Sequence, residues 1–324
     1  MKILITGGAG YIGSHTAKHL VLAGHQVVVL DNLSRGHLWA CRFGPLEQVD
    51  LLDAEGLARV FTQHQPEAVM HFAGLTLVGE SVSSPQLYYE HNLLGSYQLL
   101  EAMRRHRVEK LIFSSTAATY GLPQQDLIDE SHPQLPVNPY GQTKLAVERM
   151  IFDYARAYSL QAVILRYFNA CGCDPEGELG EVHEPETHLI PCLLLAARQN
   201  QPVSIFGQDY ATLDGTCVRD YIHVQDLANA HRLALESLPR QVSCEAFNLG
   251  IGQGYSVLQV VEAVERVLGR KVERQFLERR AGDPDSLVAR SHKAQSQLGW
   301  TPIWTNLEAT VESAWRWICQ YNCQ

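Results

Sequence analysis

The chain has 324 residues, 46% hydrophobic and 19% charged, enough for one or two domains around a large core. Acids outnumber lysine plus arginine 35 to 26, and the net charge of −9 with no basic block excludes nucleic acid as a partner. No run approaches the ~20 apolar residues of a membrane span, the start "MKILITGGAG" lacks signal-peptide features, and eight scattered cysteines point to reduced thiols in a cytoplasmic protein without a structural metal.

In chain order, "KILIT" predicts a short buried strand and "YIGSHTAKHLVLAG" a helix stopped by glycine. Between them, Gly7, Gly10 and Gly13 are spaced G-x-x-G-x-x-G, a turn that lets the backbone approach a pyrophosphate at the helix N-terminus. "HQVVVLD" predicts the next strand. It ends at Asp31, eighteen residues after Gly13, where a carboxylate binds adenosine ribose hydroxyls and selects NAD over NADP. "EAVMHFAG" and "KLIFSST" predict strands whose ends carry small residues and hydroxyls. "NPYGQTK" opens an amphipathic helix in which Tyr140 and Lys144 share a face, and "QAVILRYFN" predicts one more strand.

This alternation predicts an α/β fold with a Rossmann-type, doubly wound parallel sheet, expected over residues 1–170 as an NAD-binding domain. The polar stretch "ACGCDPEGELGEVHEPETH" predicts a long functional loop. A helix at "LIPCLLLAARQ", a strand at "PVSIFG", a helix at "VQDLANAHRLALESL" and a C-terminal mix of both follow. Residues 171–324 are expected to form a smaller α/β substrate domain, with some segments returning to the first. Singly, each motif has a bland reading: a tight glycine turn, a hydroxyl-rich turn, a surface Tyr–Lys pair.

The stretches "ILITGGAGYIGSHTAKHL", "VVLDNLSRG", "MHFAGLTLVGESVSSPQLYYEHNLLGS", "LIFSSTAATYG", "NPYGQTKLAVE", "LRYFNACG", "PETHLIP", "GTCVRDYIHVQDLANAH" and "FNLGIGQGYSVLQVV" run in order along almost the whole chain. Together they resemble the extended short-chain dehydrogenase/reductase family, and within it enzymes that invert C4 of UDP-glucose and UDP-galactose. The resemblance implies Tyr140 and Lys144 as a Y-x-x-x-K pair and Thr116 as the third catalytic residue. Lys144 and a positive nicotinamide are expected to lower the tyrosine pKa from its usual ~10.

The implied contacts to a retained NAD are Gly7, Gly10, Tyr11, Ile12, Gly13, Asp31 and Asn32. Asp50, Leu51, Phe72, Ala73, Gly74, Ser114, Tyr140, Lys144 and Tyr167 complete them. For the UDP-sugar the resemblance implies Thr116, Phe168, Asn169, His188, Leu189, Phe206 and Arg219, then Tyr221, Val257, Arg280, Asp283 and Leu287. Arg219 and Arg280 suit phosphate oxygens, although a salt bridge from Arg219 to Asp220 or another acid is the competing reading. Hydride would pass from C4 to NAD, the 4-ketopyranose would turn over, and hydride would return to its other face. "LLGSYQLLEAMRRH" and "LAVERMIFDYARAY" are the segments through which the family forms a homodimer.

Departures from the pattern are Thr76 where some members carry lysine, Thr187 and His188 where some carry two asparagines, and Leu287 at a position that controls room for a C2 N-acetyl group. Ala117 and Ala118 after Thr116 disfavour a dehydratase, which needs an acid and base there. The alternatives are a 4-epimerase of UDP-N-acetylhexosamine, UDP-arabinose/xylose or UDP-glucuronate. A non-catalytic NAD-binding regulatory protein would lack one of Thr116, Tyr140 and Lys144; all are present.

Overall fold

Buried strands with apolar residues on both faces need helices above and below them. A computed structural model describes residues 1–238, 244–280 and 282–321 and has that layering. The first half runs β1 (Lys2–Thr6), α1 (Tyr11–Leu22), β2 (Gln26–Asp31), β3 (Leu46–Gln48), α2 (Ala54–His64), β4 (Ala68–His71), α3 (Val78–Ser83), α4 (Pro85–Tyr88), α5 (Gly95–Arg105), β5 (Lys110–Thr116), α6 (Pro139–Tyr158) and β6 (Gln161–Tyr167). The second runs β7 (Asn169–Cys171), α7 (Leu189–Gln199), β8 (Val203–Phe206), β9 (Val218–His223), α8 (Val224–Ser237), β10 (Cys244–Leu249), β11 (Gly254–Ser256), α9 (Val257–Leu268), β12 (Arg274–Leu277), β13 (Ser286–Leu287), α10 (His292–Leu298) and α11 (Leu307–Tyr321).

Seven strands form one parallel sheet in the order β3-β2-β1-β4-β5-β6-β10. The order reverses between β1 and β4, so a crevice opens beyond the carboxyl ends of those strands. Alternate residues feed different cores. Leu4, Val28 and Leu30 pack with Phe61, Leu99 and Ile151, whereas Ile3, Ile5, Val27 and Val29 pack with Leu20, Leu227 and Leu235 on the other face.

A third core gathers Leu193, Val260, Val261, Val311 and Trp317 from α7, α9 and α11. Beside it, β9 is the centre of a small sheet, paired in parallel with β7 and β13 and antiparallel with β11. The second half of the chain also returns to the large sheet through β10, and α8 supplies Leu227 and Leu235 to the core beneath α1.

One expected strand divides. "QAVILRYFN" leaves the large sheet at Phe168, whose amide bonds to the Leu249 carbonyl at 3.3 Å, and Asn169–Cys171 then pairs with β9. The expected loop therefore begins with two strand residues, Ala170 and Cys171. Cys41, Cys171, Cys173, Cys192, Cys217 and Cys244 carry free thiols, while Cys323 lies outside the described residues. Among the described residues no helix is long and apolar enough to cross a membrane.

Candidate active site

The crevice begins at the glycine turn. α1 starts after Gly10 with no side-chain cap and no acid in its first turn, so its leading amides are available to an anion. A Cβ on Gly7, at φ 70°, would stand 2.5 Å from the Ala73 nitrogen, and one on Gly13 would stand 2.3 Å from the Gly7 carbonyl oxygen. Those two glycines are thus demanded by backbone packing. Asp31, at the end of β2, accepts from the amides of Ala9 at 3.0 Å and Leu33 at 2.9 Å, which holds a carboxylate against the turn.

Neighbouring cofactor candidates line up along the same strand ends. Phe72 and Ala73 both donate their amides to the Thr6 carbonyl, at 2.9 and 3.1 Å, joining the end of β4 to that of β1. Asn32 donates to Asp50 at 2.6 Å, and Leu51 is buried. Tyr11 donates its hydroxyl to the Gly172 carbonyl. An uncapped helix start, an acid at the second strand end and a small-residue rim fit the phosphates and ribose of NAD.

The expected catalytic residues meet deeper in the crevice. Asn138 caps α6 by accepting from the Gly141 amide at 2.8 Å, and Pro139 begins the helix. This start puts Tyr140 in the first turn and Lys144 one turn later, 9% and 4% exposed. Thr116 is the last residue of β5, and its hydroxyl neighbours the Tyr140 phenol. Lys144 Nζ donates to the Ser114 carbonyl at 2.9 Å and lies 4.9 Å from the Phe113 ring centre. Ser114 and Tyr167 join their hydroxyls beside them.

The share of the Tyr140 shift expected of Lys144 is absent from this corner. Burial pushes the Tyr140 phenol up to about 12, and only the neighbouring Thr116 hydroxyl pulls it back. Burial also lowers Lys144 to about 8, with Glu148 opposing it. Lys144 is not among the groups that shift Tyr140. Removing water from both groups outweighs their mutual attraction.

The candidates for the UDP-sugar surround β9. Register places Asn169 opposite Tyr221 and Leu287 opposite Arg219. Leu287 packs on the cluster that contains Phe168, Tyr120 and Ala289. Arg219 pairs with Asp283, which also accepts from the Tyr210 hydroxyl at 3.2 Å. The guanidinium of Arg280 stacks 4.1 Å above the Phe206 ring centre. Val257 starts α9, and His188 precedes Leu189 at the start of α7, with its Nδ1 bonded to Glu181.

Asp220 is not the partner of Arg219. It points the other way and accepts from the amides of Ile251, Gly252 and Ala289 at 2.9, 3.0 and 3.2 Å.

Two supports were not foreseen. Glu148, one turn beyond Lys144, bonds Ser115 at 2.5 Å and takes Nε and Nη2 of Arg166 at 3.0 and 2.6 Å. Arg166 continues to Tyr120 at 3.0 Å, and Tyr120 to Asn248 at 2.6 Å. An acid on the buried face of the Tyr140 helix was the available signal. Asn92 clasps Leu75 by both its amide and carbonyl, at 2.7 and 3.0 Å, just past Gly74. It sits in a π-helical segment, Tyr89–Leu94, whose wider turn leaves no periodic sequence mark.

Residues 3–250 match the NAD dependent epimerase/dehydratase family. The chain is 53% identical over 318 residues to UDP-glucose 4-epimerase of Halalkalibacterium halodurans, covering 98% of this chain and 95% of that protein. Among solved structures it is similar to UDP-glucose 4-epimerase from Brucella ovis in complex with NAD, with TM-score 0.94, 47% identity and 97% of each chain covered. It is also similar to the Bifidobacterium longum enzyme of that name in complex with NAD+ and UDP, at TM-score 0.94 and 36% identity over 99% of each chain.

Proposed function

The chain belongs to the NAD dependent epimerase/dehydratase family, and from that premise we propose that it interconverts UDP-glucose and UDP-galactose by inverting C4. The observation that carries this reading is a buried Tyr140 beside Thr116, with Lys144 one helical turn away at the Ser114 carbonyl. Residues 1–170 would hold NAD and 171–324 the nucleotide-sugar, with α8 and β10 returning to the first unit.

A C4–H bond in a hexose is not acidic, so inversion needs oxidation and reduction at that carbon. Bound NAD+ supplies the hydride acceptor, and its reduced form the donor. Tyr140 takes the C4 hydroxyl proton, directly or through Thr116, as the carbon becomes a ketone. It gives that proton back to the oxygen after the 4-ketopyranose has turned about its link to the diphosphate. Its upward shift in the protein alone means that positive charge entering with the cofactor must assist the phenolate. Lys144 adds a fixed cation and a donor for ribose hydroxyls. Arg219 and Arg280 hold the diphosphate while Phe168 and Leu287 bound the space in which the sugar turns.

Purified protein given UDP-galactose without added NAD should form UDP-glucose. No conversion, together with no NAD among the small molecules released on denaturation, would overturn the reading. UDP-N-acetylglucosamine, UDP-xylose and UDP-glucuronate in the same assay define the pocket beside Leu287.

We also propose a cytoplasmic homodimer formed through α5 and α6. Tyr89, Leu94, Tyr97 and Tyr158 are 42 to 51% exposed in and around these helices. Light scattering should give twice the 36.2 kDa chain mass.

A further inference from the structure

Of the segment Glu181–His188 only His188 is a candidate for the UDP-sugar, yet four of its side chains converge. His183 Nδ1 lies 3.5 Å from Glu181 Oε1 and 3.4 Å from Glu186 Oε2. His188 Nδ1 bonds to Glu181 and stands 3.9 Å from Glu186 Oε1. One ligand atom from each residue falls within 4.8 Å of all the others. The Glu181 and Glu186 side chains are only 3% and 11% exposed.

His183 Nδ1 is buried and has no hydrogen-bond partner. Its two carboxylate neighbours are beyond the ~2.7–2.9 Å of a charge-assisted hydrogen bond. They match the ~3.3 Å edge of a tetrahedron whose corners stand ~2.0–2.1 Å from a central zinc, whereas the direct His188–Glu181 bond would open to that edge to admit an ion.

We propose that Glu181, His183, Glu186 and His188 form a binding site for a divalent transition metal of the zinc type. The two imidazoles, borderline ligands set beside two hard carboxylates, favour such ions over calcium or magnesium, which take oxygen ligands. The cysteine pattern argues only against a thiolate site, and this box contains no sulfur.

Its surroundings are arranged as outer support. The amides of Thr187 and His188 donate to Glu186 Oε1 at 2.7 and 2.8 Å, turning Oε2 toward His183. The Tyr11 ring stands edge-on to His183, 6.3 Å between centres. The neighbouring acids Asp174, Glu176 and Glu178 differ, because Lys18 Nζ already occupies the space between them, 2.9, 2.5 and 2.8 Å from an oxygen of each. The metal would pin the 181–188 segment against the first turn of α1, using only Nδ1 of His188 and leaving its Nε2 for a substrate oxygen.

Holoprotein treated with dipicolinate, desalted and titrated with Co2+ should bind one equivalent per chain, with the strong visible absorption of four-coordinate cobalt, and Zn2+ should displace it. His183→Ala should weaken that binding by at least ~100-fold, with Glu186→Gln as the second variant and circular dichroism reporting that each is folded. Wild type without saturable Co2+ absorption or Zn2+ binding overturns the proposal. So does unchanged binding in both folded variants. The wild-type titration decides the matter even if neither variant folds.

Discussion

The two proposed walls of the crevice are built differently. On one, Thr116, Tyr140 and Lys144 stand at the end of a seven-stranded sheet and on the capped first turns of α6, and the latter two are almost fully buried. On the other, Arg219 comes from β9, Phe206 from the end of β8, and Arg280 and Asp283 from the segment between β12 and β13, and their charges meet at a part-exposed ion pair. Reaction at C4 requires a tyrosine fixed within hydrogen-bond reach of an oxygen that arrives in two orientations. Holding a nucleotide diphosphate requires charge and the ability to release. The rigid wall suits the first and the looser wall the second.

The largest test of that contrast is Tyr140→Phe, which removes one oxygen from the rigid wall without disturbing its packing. The turnover rate should fall ~10²–10⁴-fold, the usual worth of a positioned acid–base group, with NAD still bound. Near-normal turnover would mean that Thr116 or water handles the proton. Glu148→Ala should affect folding on a similar scale. It strands Arg166, whose side chain is 4% exposed, and breaking a buried pair destabilises by about 3–5 kcal/mol, read from the denaturant midpoint. An unchanged midpoint would mean that the brace behind the catalytic helix is dispensable.

A smaller effect, on a different parameter, is expected from the other wall. Arg219→Ala removes a charge-assisted bond worth about 1.5–3 kcal/mol, so affinity for the UDP-sugar should drop ~10–150-fold while the rate at saturation changes little. A loss confined to the saturated rate would erase the division between the walls.

The rigid wall was also the legible one. Gly7, Asp31, Asn138, Tyr140 and Lys144 act through turns, caps and one helical repeat, and local spacing records such relations. The Arg219 pair was ambiguous because its partner is 64 residues away, and adjacency in a strand sends Asp220 to the opposite face. The return of β10 to the edge of the large sheet is equally non-local. The share of the Tyr140 shift expected of Lys144 is absent for another reason: helical spacing gives the position of Lys144 but not the cost of removing water from both groups.

That cost yields the smallest prediction. Burial holds Lys144 at about 8 in the folded chain, below the ~10.4 of an exposed lysine. Between those values the unfolded chain binds more protons, so this lysine makes stability rise with pH. Below about 8 the ammonium is charged in both states, and the folded chain bears the full burial penalty. With the nucleotide removed, wild type should therefore gain stability relative to Lys144→Met as pH rises from 8 to 10, by about 1–3 kcal/mol. The variant should be inactive throughout. Parallel pH profiles for the two proteins would show that Lys144 pays nothing for its place beside Tyr140, and that the rigid wall holds its cation without strain.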